Sequence, residues 1–297
     1  MAIFEGSGVA LITPMNRDFS VNYDKLEEII EEQIAGGTDA IIACGTTGES
    51  STLTHEEHIE VIKRSCEIVR GRIPVVAGTG SNATDTAIYL SVEAQRCGAD
   101  ALLLVSPYYN KTTQSGLIRH YTEVARAVTL PLLLYNIPGR TGMTIQPEPI
   151  DHLVKNVDKI VGLKEASGNF TAILRTLSLM DGAPIEIYSG NDDQIVPLMA
   201  LGGKGVISVL ANVAPQQTHD LCMAALHGDM AKAAAMQIEA AELVRQLFIE
   251  VNPIPVKKAV NLMGMEVGGL RMPLTELSEA HTVQLKKAMQ EFGIQLA

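Results

Sequence analysis

The chain has 297 residues, of which 46% are hydrophobic and 19% are charged. This composition suits one large α/β domain or two ordinary ones. Its 34 acidic residues outnumber its 23 basic residues and give a net charge of -11. That balance argues against a general nucleic-acid-binding protein, whose phosphate contacts need a basic surface. It does not argue against a small anionic substrate, which needs only a local positive site.

The cysteines and the hydrophobic runs indicate the compartment. The four cysteines are scattered along the chain without CxxC spacing, as expected for reduced thiols of a cytosolic protein. The first apolar run is too short for a signal peptide and lacks a basic segment before it. No apolar run approaches the length that spans a membrane. We therefore expect a cytoplasmic protein with no membrane segment.

Short apolar runs alternate with amphipathic helical segments along most of the chain. The predicted strands are residues 8–13, 40–44, 74–77, 101–105, 131–135, 159–163, 185–188 and 205–209. The predicted helices between them are residues 23–35, 55–69, 84–97, 115–128, 147–154, 170–179 and 192–201. The strand runs are almost continuously apolar, as in parallel strands that are covered on both faces.

This alternation favours a (β/α)8 TIM barrel over residues 1–214, which would be the catalytic domain. A doubly wound open sheet with extra strands is the alternative. Residues 215–297 show no strand pattern, but residues 229–249 and 277–292 have helical periodicity. We expect a helical C-terminal region that packs on the barrel.

Lys164 follows the apolar run 159–163 and precedes a polar, glycine-containing turn. Burial disfavours the charged form of an ammonium group and lowers its pKa. A lysine that is neutral near neutral pH can form a Schiff base with a carbonyl compound. The alternative is a lysine that extends to solvent or pairs with Glu165.

The loops that follow the predicted strands favour the functional interpretation of Lys164. In a barrel these loops share one face, and here they carry hydroxyls, small residues, Tyr135 and Arg140. A tyrosine can relay a proton, and an arginine can bind a carboxylate through two hydrogen bonds. The turn 45–50 can direct N–H groups and threonine side chains at an anion. A half-buried tyrosine, a surface arginine and an ordinary polar turn are the simpler alternatives.

Three other motifs have simpler explanations. Residues 78–83 match a dinucleotide fingerprint, but Asp100 precedes the next strand and so cannot take the ribose position. His55 and His58 begin a helix, where a metal ion would need further ligands, so we favour a surface or effector role. Asp192 begins a predicted helix, where an acid complements the helix dipole.

Eight motifs follow one another in order along nearly the whole chain. They are GTTGESSTL (45–53), GTGSNAT (78–84), SPYYNK (106–111), YNIPGRTG (135–142), GLKEASG (162–168), SGNDD (189–193), GVISVLANVAP (205–215) and NPIPVKKA (252–259). Together they resemble the dihydrodipicolinate synthase family of pyruvate-dependent class I aldolases. The resemblance implies a TIM barrel that condenses pyruvate with aspartate 4-semialdehyde in diaminopimelate and lysine biosynthesis. It implies no metal and no nucleotide or other cofactor.

The resemblance also assigns catalytic roles. Lys164 would form the Schiff base with pyruvate, and Tyr135, Thr46 and Tyr109 would form a proton relay. In this family the tyrosine at the position of Tyr109 comes from a neighbouring subunit. We therefore expect a homo-oligomer, with a tetramer built from dimers as the preferred assembly.

Four further positions match substrate-binding residues of the family. Thr47 and the backbone at Ile207 would hold the pyruvate carboxylate, Arg140 would bind the carboxylate of the semialdehyde, and Gly190 would line the pocket. Arg140 in IPGRTG favours the synthases over the related N-acetylneuraminate lyases. Another pyruvate lyase that acts on a sugar acid, and a non-catalytic binding barrel, are the competing hypotheses.

The family often carries a lysine feedback site at its dimer interface. Five residues match the pattern of that site: Ser50, His55, His58, Asn82 and Tyr108. Thr86 stands where lysine-sensitive bacterial members often have glutamate. We therefore expect lysine to be a weak effector or none.

Overall fold

The computed structural model describes residues 2–297, and eight parallel strands form a closed barrel at its centre. The strands are β1 (Gly6–Ala10), β2 (Ala40–Ala43), β3 (Val75–Gly78), β4 (Ala101–Val105), β5 (Leu132–Asn136), β6 (Ile160–Glu165), β7 (Glu186–Ser189) and β8 (Gly205–Ser208). β8 pairs back with β1, and Gly8 lies opposite Ile207. This closure confirms the predicted (β/α)8 barrel and excludes the open sheet.

The helices surround the barrel and extend beyond it. They are α1 (Tyr23–Ala35), α2 (His55–Val69), α3 (Thr84–Arg96), α4 (Gln114–Ala127), α5 (Pro138–Thr141), α6 (Pro147–Asn156), α7 (Phe170–Met180), α8 (Ile195–Ala200), α9 (Pro215–Leu226), α10 (Met230–Leu247), α11 (Ile254–Leu262) and α12 (Glu279–Glu291). None of these helices within residues 2–297 is both long and apolar enough to cross a membrane.

Two apolar layers stabilise the barrel. Its interior is filled by side chains such as Leu103 and Leu133, and by Phe4 stacked on Tyr188 with ring centroids 4.3 Å apart. Gly8 leaves the space that Phe4 occupies, because a Cβ there would lie 2.8 Å from its ring. A second, larger cluster joins the outer strand faces to the helices. Each large side chain buried in these layers contributes about 1.5–3 kcal/mol.

β1 and β6 differ most from their predicted bounds, and β4 alone matches them at both ends. β1 ends at Ala10 rather than at residue 13, because the Asn212 side chain takes over its hydrogen bonding. The Asn212 amide donates to the Ala10 carbonyl at 2.9 Å, and its Oδ1 accepts from the Ile12 N–H at 3.1 Å. β6 runs on to Glu165, so Lys164 lies within a strand and not after it.

The C-terminal helices pack against β1 and β8 of the barrel and against one another. α9 contacts β1, β8 and α10, while α12 contacts α10 and α11. The region beyond residue 214 is therefore helical and packs on the barrel. The division into domains at residue 214 stays a prediction.

Candidate active site

Lys164 lies in β6 towards the carboxyl end of the barrel, with its side chain only 6% exposed. Tyr135 of β5 and Tyr188 of β7 are its partners across the sheet, and its Nζ lies 4.3 Å from the centroid of the Tyr135 ring. Burial lowers the pKa of Lys164 from 10.5 to about 7, with the Asp192 charge opposing this and Arg140 adding to it. Much of the amine is therefore neutral and nucleophilic near neutral pH.

Glu165 does not pair with Lys164, because consecutive side chains of a strand point to opposite faces. Its carboxylate accepts hydrogen bonds from the Asn136 side chain at 3.0 Å and from the Ser167 N–H at 2.6 Å. Asn136 in turn accepts from the Ile145 N–H at 3.0 Å. The alternative of a solvent-exposed or Glu165-paired lysine is therefore wrong.

Tyr135 is buried at the end of β5, beside Lys164 and Thr46. Burial raises the pKa of the Tyr135 hydroxyl to about 12, although the Arg140 charge and a hydrogen bond with the Thr46 side chain act to lower it. The phenol thus stays protonated at neutral pH and is available to donate a proton. Thr46 is half-buried and faces the cleft above. The structure brings these three predicted catalytic residues together.

Thr47 is buried in the same turn as Thr46 and accepts a hydrogen bond from the Asn252 side chain at 3.0 Å. Its hydroxyl hydrogen is therefore free to be donated to another group. Ile207, the other residue predicted to hold an anion, lies buried in β8 inside the barrel.

Gly190 follows β7 and lies against Lys164. A Cβ at this position would be 3.0 Å from Lys164 Cε and 2.7 Å from Ala166 Cβ. Any larger residue would therefore press on the lysine side chain, and glycine is needed to leave it room.

Arg140 lies in the short helix α5 and is exposed. Its guanidinium donates to the Asn252 backbone carbonyl at 2.9 Å. Asn252 therefore contacts both Arg140 and Thr47, and the sequence analysis gave it no role. The motif NPIPVKKA, which begins at this residue, is the sequence signal that could have found it.

Asp192 does not serve as the helix cap that the sequence suggested. The predicted helix 192–201 is a 3-10 turn, Asp192–Gln194, followed by α8. Asp192 is 2% exposed and accepts from Ser208 Oγ at 2.6 Å and from the N–H groups of Val209 and Leu210 at 3.0 Å. Its carboxylate thus fixes the end of β8 and places a negative charge near Lys164.

A cleft of about 300 Å³ borders this cluster, although neither Lys164 nor Tyr135 lines it. Thr46 and Arg140 line it, together with four of the five predicted effector residues, Ser50, His55, His58 and Tyr108. Thr86 lines it as well. Of the cleft-lining residues in the described chain, none is an aspartate or a glutamate.

The fifth effector residue, Asn82, lines a neighbouring pocket instead. Its carbonyl accepts a hydrogen bond from the Asn110 side chain at 2.9 Å. In the cleft itself, His58 donates from Nε2 to the Gly78 carbonyl at 2.7 Å, and burial lowers its pKa. No group of three or more potential metal ligands occurs between residues 2 and 297.

Tyr109 is not part of the cluster around Lys164. It is 91% exposed and has a left-handed backbone with φ of 67°. The adjacent Tyr108 lines the cleft, but Tyr109 does not. Within one chain the predicted proton relay therefore ends at Thr46.

Comparisons with known proteins agree with this geometry. Residues 3–292 match the Dihydrodipicolinate synthetase family. The 4-hydroxy-tetrahydrodipicolinate synthase of Lachnoclostridium phytofermentans is 56% identical over 294 residues, which cover 99% of this chain and 100% of that protein.

Two solved structures have the same fold. The chloride-inhibited dihydrodipicolinate synthase from Acinetobacter baumannii, complexed with pyruvate, has a TM-score of 0.95 at 44% identity and covers 98% of this chain and 99% of that one. The lysine-bound enzyme from Cyanidioschyzon merolae has a TM-score of 0.95 at 36% identity, covering 99% of this chain and 100% of that one. The chain therefore belongs to the Dihydrodipicolinate synthetase family.

Proposed function

We propose that this chain condenses pyruvate with aspartate 4-semialdehyde to give 4-hydroxy-tetrahydrodipicolinate, a step of diaminopimelate and lysine biosynthesis. The observation that carries the proposal is Lys164, a buried amine with a pKa of about 7 that lies beside Tyr135 towards the carboxyl end of the barrel. The names of the relatives support the reaction, and both substrates carry the carbonyl and carboxylate groups for which the site is suited.

The reaction begins at the Lys164 amine, which attacks the keto carbon of pyruvate and expels water to form an imine. Thr47 and the backbone at Ile207 hold the pyruvate carboxylate, and Gly190 leaves space for the lysine. Tyr135 donates the proton that the departing water needs. Loss of a proton from the methyl group then gives an enamine.

The enamine carbon attacks the aldehyde carbon of the second substrate, and the new oxygen takes up a proton from the relay. Arg140 binds the carboxylate of this substrate while Asn252 holds the guanidinium. The substrate amine next attacks the imine carbon, closes the ring and expels the Lys164 amine. Every proton released at the methyl group or the amine passes to Tyr135 and Thr46.

The relay is completed, in this proposal, by Tyr109 from a second copy of the chain. Tyr109 is 91% exposed in the single chain. A relay residue must be shielded from bulk water, so a second copy of the chain has to cover Tyr109, and this supports the assignment. We infer a homotetramer built from dimers, in which each dimer supplies two complete sites. A cytoplasmic location also remains part of the proposal.

Lysine is the candidate effector for the cleft, since one structural relative was solved with lysine bound. The cleft offers hydroxyls and imidazoles for a carboxylate. It offers no carboxylate of its own for an ammonium group. We therefore propose weak lysine binding or none.

Borohydride reduction in the presence of pyruvate tests the central step. The proposal requires a pyruvate adduct on the peptide that contains Lys164, and no adduct in Lys164→Met. Lys257 is the internal control, because it is also buried, 1% exposed, but paired with Glu49. Labelling of Lys257 or of no lysine at all would refute the mechanism.

The competing lyase is tested with the second substrate. Arg140→Ala should raise the KM for aspartate 4-semialdehyde far more than the KM for pyruvate, because only the semialdehyde carboxylate is assigned to this guanidinium. Faster turnover of an acidic sugar than of the semialdehyde by the unmodified enzyme would favour the lyase.

A further inference from the structure

Glu49 closes the turn that carries Thr46 and Thr47, yet its side chain points away from the cleft. The residue is 2% exposed and has a left-handed backbone with φ of 55°. Its N–H donates to the Thr46 carbonyl at 3.1 Å, so a backbone hydrogen bond links the two residues. Non-glycine residues adopt this conformation rarely and are held in it by their surroundings.

The Glu49 carboxylate is bound entirely by the C-terminal part of the chain. Oε1 forms an ion pair with Lys257 Nζ of α11 at 2.5 Å. Oε2 accepts from the Arg271 N–H at 3.0 Å. The Lys257 and Glu49 side chains are 1% and 0% exposed, so no solvent can replace either partner.

A second bond from the same region reaches the same turn. The Asn252 side chain donates to Thr47 Oγ1 at 3.0 Å, and the Asn252 carbonyl accepts from Arg140. From the barrel side, Thr13 donates to the Gly48 carbonyl at 2.7 Å. The turn is thus fixed between the loop that follows β1 and the segment that leads into α11.

We propose that the buried Glu49–Lys257 pair positions Thr46 and Thr47 for imine formation, so that the C-terminal helical region is part of the catalytic apparatus and not only a cover. The inference rests on the proposed function of Lys164. Glu49 and Lys257 are positioning residues, because neither lines the cleft. A threonine displaced by about 1 Å can lower a rate about 100-fold.

The test measures imine formation and folding separately. Glu49→Gln, Lys257→Met and Glu49→Asp are compared with the unmodified chain by rapid mixing with pyruvate and borohydride quench, with mass analysis of the Lys164 peptide. Thermal unfolding is recorded for each variant, and all rates are taken well below the lowest midpoint.

Asp39→Asn is the matched control. Asp39 lies just before β2, whereas Glu49 lies after it. The Asp39 carboxylate also links the barrel to a later helix, because it accepts from the Ser7 N–H at 2.7 Å and pairs with His219 of α9. It lies at the opposite end of the barrel, so its loss should lower the unfolding midpoint without changing the imine rate.

We expect Glu49→Gln and Lys257→Met to slow imine formation about 10- to 100-fold and to raise the pyruvate concentration for half-maximal rate. Glu49→Asp keeps the charges but shortens the link. This variant should fold, and its rate of imine formation should be about 3- to 10-fold lower than that of the unmodified chain. If the two neutral variants do not fold, Glu49→Asp decides. Folded variants with the unmodified rate, or an equal rate loss in Asp39→Asn, would overturn the inference. Absence of any adduct in the unmodified chain would instead overturn the proposed function.

Discussion

Imine formation at Lys164 should depend on pH with an apparent pKa near 7, because burial lowers the pKa of its amine from 10.5 to about 7. At about pH 7 roughly half of this amine is neutral, against about 0.03% for a lysine with the ordinary value. The reactive fraction is therefore higher by about three orders of magnitude.

The magnitude corresponds to about 5 kcal/mol of differential interaction between the two protonation states. Desolvation is the largest cause, and the Asp192 carboxylate opposes it. The Asp192 carboxylate accepts hydrogen bonds from Ser208 and from two N–H groups, so these donors as well as Lys164 interact with its negative charge. Desolvation therefore dominates, and the lysine remains a weak base.

The assay is the initial rate of borohydride-trapped adduct at saturating pyruvate, measured from about pH 5 to about pH 9.5. Below about pH 7 the rate should rise about tenfold for each increase of one pH unit, and above about pH 7 it should level off. A rate that continues to rise tenfold per step beyond pH 9 would refute the reasoning, because it would show an amine of ordinary basicity. Unfolding midpoints across the same range serve as the control.

Two substitutions test the space and the charge around the site. Gly190→Ala should slow imine formation at least about tenfold, because the new Cβ would lie 3.0 Å from Lys164 Cε. Gly139→Ala is the control and should leave the rate unchanged, because a Cβ there has no heavy atom within 4 Å. Equal rates in the two variants would contradict this reasoning. Thr86→Glu should lower the lysine concentration for half-inhibition about tenfold, because the new carboxylate can pair with the ammonium group of the bound lysine. Thr86→Gln, which adds no charge, should not. Strong lysine inhibition of the unmodified enzyme would refute the account of the cleft.

The fold could be predicted because the strands and helices differ in their local pattern. Eight apolar runs, seven of them followed directly by a predicted helix, leave few topologies that bury both faces of every strand. The strand ends could not be placed in the same way. β1 stops where the Asn212 side chain replaces a strand neighbour, and that contact joins residues about 200 positions apart in sequence.

The site was predictable where the chemistry follows a strand and unpredictable where it depends on distant contacts. Lys164, Tyr135, Thr46 and Arg140 each lie at or after a strand end, so one rule places them on one face. Asp192 looked like a helix cap because its local context is acidic and precedes a helix. Its actual partners belong to the end of β8, and no local pattern records them.

Lys164 and Lys257 show why burial alone does not identify a nucleophile. Both lie inside the protein, with 6% and 1% of the residue exposed, and burial lowers the pKa of both. Lys257 meets the Glu49 carboxylate, which acts to raise its pKa and holds it as a structural cation. Lys164 meets a tyrosine ring and a glycine, and the nearby Asp192 charge only partly offsets the desolvation that lowers its pKa. The partners, supplied by chain segments far apart in sequence, make one lysine a link between two regions and the other a reagent.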